Sequence, residues 1–206
     1  MELIKTKDNS FTLHNSSYDE NYHSVSGGLE EAEKKFIVPC KVKGGFRILD
    51  IGFGLGYNVG MAVYKAKNVE IISLEKDSNV LQEVQNIEVP DWFKESYSII
   101  KKVVKNLEYK DSNISIKIIL GDAKETIKKV EGKFDAVFLD PFSPPKNPEL
   151  WTLAFFIDLK KRMNKGAILA TYSCAGIVRR NLKEAGFTVE DGPCIGRKAP
   201  ATIAFF

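Results

Sequence analysis

Cysteine and histidine are scarce, with three and two copies among 206 residues. Cys40, Cys174 and Cys194 are far apart and form no C-x-x-C pair, so neither a disulfide framework nor a metal site is expected. No apolar run approaches the roughly 20 residues that a membrane span needs. The first residues, MELIKTKD, lack the apolar core of a secretion signal. Internal repeats and low-complexity tracts are absent. Excess charge of one sign is small, at +3 overall. These absences point to a cytoplasmic protein with no metal, no membrane partner and no obligate protein partner indicated.

What is present describes a folded chain. Hydrophobic residues make up 44% and charged residues 28%, which excludes wholesale disorder. At roughly 100–200 residues per domain, one domain over 1–206 is expected. Charge is unevenly spread. Residues 1–36 hold four basic and seven acidic residues, and residues 158–198 hold nine basic and four acidic. A basic final third permits a polyanionic partner.

Strand-like runs alternate with helix-like segments. The expected strands are Phe46–Ile51, Val69–Leu74, Ile114–Leu120, Phe134–Leu139 and Ala167–Tyr172, with closing strands at Phe187–Glu190 and Thr202–Phe206. The expected helices are Tyr57–Lys67, one capped by Asp77, one from Pro148 to Met163, and Ile177–Ala185 stopped by Gly186. This alternation predicts an α/β fold with a mostly parallel, seven-stranded sheet and helices on both faces. Residues 1–45 form an N-terminal cap segment. It carries an amphipathic helix with Leu29, Ala32, Phe36 and Ile37 on one face, stopped by Pro39. Residues 88–113 are too long for a plain loop and predict a helical insertion around Trp92 to Leu107.

The sharpest motif runs from Asp50 through Gly52, Gly54 and Gly56 to Asn58, between a strand and a helix. Its G-x-G-x-G spacing is not that of a dinucleotide turn, and no Lys or Arg lies between Ile48 and Tyr64. The absence of a phosphate-binding cation favours a zwitterionic nucleoside ligand such as S-adenosylmethionine. Glu75 stands 25 residues after Asp50, at the next strand end, and can accept ribose hydroxyls. Asp122 ends the third strand and can accept an adenine amino hydrogen, although either acid can simply cap a helix. The fourth strand ends in Asp140-Pro141-Phe142. A carboxylate with a Pro-fixed carbonyl can accept N–H bonds and aim an amine lone pair at a methyl group. Phe142 can stack on an exposed base.

These motifs resemble the MnmC-type tRNA 5-methylaminomethyl-2-thiouridine methyltransferases. The resemblance rests on the run Leu139 to Thr152 with its K-N-P-x-x-W core, and on Gly52 to Asn58. It extends to Thr171–Phe187 with its Arg-Arg pair, to Gly196-Arg197-Lys198, and to Tyr22-His23-Ser24, Gly27-Gly28 and Glu30. Pro141 and Ser143 depart from the best-known members. The resemblance implies a class I S-adenosylmethionine-dependent methyltransferase fold. It implies methylation of the aminomethyl nitrogen of 5-aminomethyl-(2-thio)uridine at the tRNA wobble position. Asp140 and Phe142 would be catalytic. Asp50, Gly52, Gly54, Gly56, Asn58, Glu75, Asp122, Tyr22 and Glu30 would hold the cofactor. Lys146, Arg179, Arg180, Arg197 and Lys198 would hold the tRNA anticodon stem-loop. Bifunctional members continue into an FAD-dependent oxidase. A chain of this length is expected to use no FAD and to perform the methylation alone. Two rivals share the fold: a spermidine synthase-like aminopropyltransferase and a non-catalytic RNA-binding protein.

Overall fold

The computed structural model describes residues 3–195 and 198–206. Its centre is an eight-stranded sheet. The strands are β4 (Phe46–Ile51), β5 (Val69–Glu75), β6 (Glu108–Lys110), β7 (Ile114–Leu120), β8 (Phe134–Leu139), β9 (Met163–Thr171), β10 (Thr188–Asp191) and β11 (Thr202–Phe205). They lie in the order β10-β11-β9-β8-β4-β5-β7-β6. Five of them, β9, β8, β4, β5 and β7, run parallel. The late strand β11 is antiparallel to both β9 and β10. The expected seven strands are therefore present, and short β6 adds an eighth, antiparallel to β7.

Alternation along the strands divides the core in two. Ile48, Ile71, Ala136 and Phe138 face α2 (Tyr57–Ala66), α3 (Ser78–Glu83) and α4 (Lys94–Asn106). Leu49, Leu74, Val137 and Leu139 face α5 (Ala123–Lys129), α6 (Leu153–Lys160) and α7 (Gly176–Glu184). The insertion is helical as expected, since α4 buries Tyr97, Ile100 and Val103 at helical spacing.

The N-terminal segment holds more than the expected helix. Strands β1 (Leu3–Lys5), β2 (Phe11–Asn15) and β3 (Glu20–Asn21) form a separate antiparallel sheet. Helix α1 (Gly28–Glu31) then widens into a π-helix over Ala32–Ile37. Its i→i+5 bonds include Val38 N–H to the Glu33 carbonyl at 2.9 Å. The expected helix from Pro148 to Met163 is broken. A 3₁₀ turn covers Pro148–Trp151, and Thr152 adopts an extended conformation and caps α6, accepting the Phe155 N–H at 3.3 Å. Strand β9 begins at Met163, earlier than the expected Ala167, because Met163 already pairs with Phe134 before a register shift.

β4 is the point where the chain reverses its direction of travel across the sheet. It pairs with β5 on one side and with the later β8 on the other. In an open α/β sheet, ligands bind outside the carboxyl ends of the strands at such a switch point.

Candidate functional site

The carboxyl ends of β8, β4, β5 and β7 open into a cavity of about 740 Å³. Its wall includes Gly52, Gly54, Glu75, Asp122, Asp140, Phe142 and Tyr22. The structure thus gathers seven of the expected site residues in one cleft. The volume suits a nucleoside-sized ligand.

The glycine turn explains how the cleft stays open. Gly52 has φ +91, and a Cβ there would lie 2.8 Å from the Asp140 carbonyl oxygen. The β4 and β8 ends can approach this closely only without a side chain. Gly54 has φ +53 and donates its N–H to Glu75 Oε2 at 2.8 Å. The other Glu75 oxygen accepts the N–H groups of Lys76 and Asp77, both at 2.7 Å. Three of about four lone-pair directions are used, leaving one toward a hydroxyl. Burial raises the Glu75 pKa, and these three N–H donors partly oppose the rise.

Asp122 caps α5, accepting the Lys124 N–H at 3.0 Å. Its capping role and its place in the cavity wall coexist. Partial burial works against ionisation, but the Lys124 N–H and the Lys76 and Lys124 ammonium groups win and lower its pKa. An ionised acceptor therefore faces the β7 end of the cleft.

Asp140 closes the other end. Asn58 Nδ2 donates to its Oδ2 at 2.8 Å. Desolvation pushes its pKa well above the ordinary Asp range. Asn58 opposes this, Glu31 and Asp50 add to it, and Lys35 opposes it. The loop beyond Asp140 is pinned: Tyr172 Oη donates to the Pro141 carbonyl and Trp151 Nε1 to the Phe142 carbonyl, both at 2.9 Å. The Pro141 carbonyl, expected to accept from an amine, thus already accepts from Tyr172. Phe142 is covered as well. Tyr18 stacks on it with centroids 4.3 Å apart, and Tyr22 lies tilted at 5.0 Å.

Several expected residues lie elsewhere. Asn58 positions Asp140 from beneath the cavity wall. Gly56 packs toward Ile100 and Phe53 in the core. Glu30 projects from α1 to pair with Lys34 at 2.6 Å, while its neighbour Glu31 lines the cleft. Lys146 pairs with Asp19 at 3.3 Å. Arg179 spends its fork on the protein itself, on Thr202 Oγ1 at 3.0 Å, Asp191 Oδ1 at 2.5 Å and the Ala201 carbonyl at 3.1 Å. Arg180 and Lys198 are exposed. Arg197 lies outside the described residues.

Asp50 is buried under the turn. Its Oδ2 accepts from Ser73 Oγ at 2.5 Å, and its Oδ1 has no partner among the described residues. Burial pushes its pKa up to about 8, with Ser73 opposing and Glu75 adding to the rise. Between the unfolded Asp value and about 8, the folded protein holds a proton that the unfolded chain has released. Stability from this group is complete at low pH and falls as pH rises through that window. Asp50→Asn is therefore expected to remove a slope of about 1.4 kcal/mol per pH unit from urea-unfolding free energies between pH 5 and 7. An unchanged slope would place the Asp50 proton elsewhere.

The sequence reading missed Glu31, Lys35, Asn15, Tyr18, Glu20 and Asp77, all in the cavity wall. Tyr22 Oη donates to Asp77 Oδ2 at 2.9 Å across 55 positions, which no local pattern reveals. Glu20 accepts the Ser143 N–H and hydroxyl at 3.1 and 2.7 Å, tying β3 to the Asp140 loop.

The profile of a family described as S-adenosyl-L-methionine-dependent methyltransferase matches residues 82–205. The solved structure of MNMC2 from Aquifex aeolicus is 40% identical with a TM-score of 0.90, covering 99% of this chain and 70% of that one. The chain belongs to the MnmC-type S-adenosyl-L-methionine-dependent methyltransferases. The tRNA 5-methylaminomethyl-2-thiouridine biosynthesis bifunctional protein MnmC of Ralstonia nicotianae is 33% identical over 95% of this chain. The present methyltransferase spans only 33% of that relative's length. A spermidine synthase from Thermotoga maritima is 13% identical with a TM-score of 0.62, over 99% of this chain and 70% of that one, and shares the fold alone. No helix among the described residues of this methyltransferase is long and apolar enough to cross a membrane. None of its described His, Cys, Asp and Glu residues gather in a group of three or more that could hold a metal. An ionised Asp122, a Glu75 with one open lone pair and the bare Gly54 face fit an adenosyl group.

Proposed function

We propose that this methyltransferase transfers a methyl group to the aminomethyl nitrogen of 5-aminomethyl-(2-thio)uridine at a tRNA wobble position. The observation that carries the reading is Asp140, a carboxylate of raised proton affinity held by Asn58 at the methyl-transfer end of the cleft. S-adenosylmethionine, when bound, would supply an electrophilic methyl group, its S–CH3 bond breaking as the N–C bond forms and neutral S-adenosylhomocysteine leaving. Gly52 and Gly54 leave space for the donor, Glu75 faces its ribose and Asp122 its adenine. Asp140 accepts an N–H bond from the amine and fixes its lone pair on the line of attack. As the N–C bond forms, the surplus ammonium proton passes to Asp140, whose raised pKa suits it to receive one. Phe142 and Tyr18 offer the aromatic faces for the pyrimidine ring, which enters as their stacked pair opens.

The aminopropyl rival would act on a free polyamine. Transfer rates with S-adenosylmethionine or its decarboxylated form as donor, and with an anticodon stem-loop bearing the aminomethyl base, the free aminomethyl nucleoside or putrescine as acceptor, separate the two. The stem-loop is expected to be methylated at least tenfold more efficiently than either small amine. Equal or faster reaction of putrescine would sink the RNA reading.

Of the expected cations among the described residues, Arg180 and Lys198 are exposed and open to tRNA phosphates. Lys198 stands three positions after Ile195 in the sequence, and Ile195 lines the cleft. Neutralising both is expected to weaken tRNA binding and lower the logarithmic salt slope by about 0.7–0.9 per lost contact. Arg179→Ala is expected to lower the melting temperature instead, because its guanidinium ties α7 to β10 and β11. A full slope in the Arg180/Lys198 variant would move the RNA path elsewhere.

A further inference from the structure

The cleft holds a second charged feature with no task in the reading above. Lys35 and Glu31 form an ion pair whose side chains are 5% and 13% exposed, and both line the cavity. Withdrawing two charges from water carries a penalty of several kcal/mol per ion in general, so such a pair is poorly explained by stability alone. An ammonium has three donors. Glu31 is the one hydrogen-bond partner of Lys35 among the described residues. The second Glu31 oxygen accepts the Ser24 N–H at 3.2 Å. Beside the pair, His23 Nε2 is buried with no hydrogen-bond partner among the described residues. Burial lowers the His23 pKa to about 4, so the ring is neutral and has one unused polar atom in the cavity wall.

The position of this cluster matters. The π-helix places Phe36 against Phe138 of β8, with ring centroids 5.8 Å apart. The charges of Glu31 and Lys35 act on Asp140 as well as on His23. The cluster therefore sits at the β8 end, and Asp122 at the β7 end. The two strands are three positions apart in the sheet, about 14 Å at roughly 4.8 Å per strand. A ligand with an adenine at Asp122 presents its far end to Lys35 and Glu31.

We propose that Lys35 and Glu31 form the receptor for the amino-acid end of the methyl donor, with Lys35 taking its α-carboxylate and Glu31 its α-ammonium. This rests on the reading that the cleft holds an adenosyl donor. The ion pair and the zwitterion are mutual complements, so binding exchanges one buried pairing for two and leaves net charge unchanged. A decarboxylated donor offers no partner to Lys35 and brings a second cation beside it. Lys35 therefore selects the carboxylate-bearing donor, which separates methyl transfer from aminopropyl transfer at the level of the donor.

The test is calorimetric and needs no turnover. S-adenosylhomocysteine carries the amino-acid end, 5′-methylthioadenosine lacks it entirely, and decarboxylated S-adenosylmethionine lacks only the carboxylate. The wild-type protein is expected to prefer S-adenosylhomocysteine to methylthioadenosine by at least tenfold. Lys35→Met is expected to lose at least tenfold for S-adenosylhomocysteine and to keep its methylthioadenosine affinity, which also reports an intact fold. Its affinity for the decarboxylated donor should rise. Lys35→Arg should recover part of the loss. If Lys35→Met unfolds, the uncharged Glu31→Gln/Lys35→Met pair is measured in its place, with the same expected loss for S-adenosylhomocysteine. A wild-type preference ratio in the folded variant would overturn the proposal and leave the adenosyl site standing. Failure of the wild-type protein to bind any of the three would overturn both.

Discussion

Asp140→Ala is expected to bind S-adenosylhomocysteine with near wild-type affinity and to transfer methyl about 10²–10⁴-fold more slowly, the usual range for loss of a positioned acid or base. Asp140→Asn should fare little better, since an amide can still face Asn58 but cannot take the amine proton. The wild-type rate should rise with pH as Asp140 and the substrate amine release their protons, with the midpoint displaced upward by burial. Asn58→Ala should act through Asp140: it removes the one side chain hydrogen-bonded to that carboxylate among the described residues, so its rate-versus-pH midpoint should move further upward. Single-turnover rates across pH, with cofactor affinity measured in parallel, check all three variants. Wild-type transfer by Asp140→Ala would remove the carboxylate from the chemistry.

Gly54→Asp is expected to abolish donor binding. Its φ of +53 lies in the left-handed region that Asp tolerates better than most residues, so the backbone strain is modest. A Cβ would meet only Tyr22 Cδ1 at 3.3 Å, a side-chain atom that can give way. The damage falls on the cleft: a new carboxylate enters the donor's space beside buried Glu75. Titration calorimetry should show no S-adenosylhomocysteine binding, while circular dichroism shows a folded chain. Glu75→Ala should lose about 1–3 kcal/mol of donor affinity, the range for hydrogen bonds to a charged group. Retained binding in Gly54→Asp would detach the glycine turn from the donor site.

The strand ends were legible because each carries its own local signal. Gly52 breaks β4, Gly121-Asp122 ends β7, and Asp140-Pro141 ends β8, all after short runs rich in apolar residues. Parallel pairing then brings those ends to one edge, so a list of strand ends became a list of cavity residues. The N-terminal sheet gave no such signal. Its strands are three, five and two residues long, too short for alternation to register. Helix α6 was misjudged because Trp151 and Phe155 keep helical spacing across Thr152, although the backbone there is extended. Glu31 and Lys35 stand four positions apart, as Glu30 and Lys34 do, so spacing alone does not tell the two pairs apart. The π-helix begins between them and changes the phase of the helix, and Lys35 becomes buried while Lys34 stays exposed. Arg179 read as a phosphate ligand because nothing local predicts Asp191 and Thr202 as its partners.

The central claim is that the cleft carries a methyl group from an adenosyl donor to the aminomethyl nitrogen of a tRNA wobble uridine. The direct measurement is nucleoside mass spectrometry after incubation with methyl-labelled S-adenosylmethionine and tRNA bearing 5-aminomethyl-2-thiouridine. The account predicts one labelled methyl on the side-chain nitrogen, at the wobble position, with Asp140→Ala leaving the tRNA unlabelled on the same timescale. Label on a ring carbon, a ribose oxygen or another nucleoside, or no label in the tRNA from an enzyme that binds the donor, would contradict it.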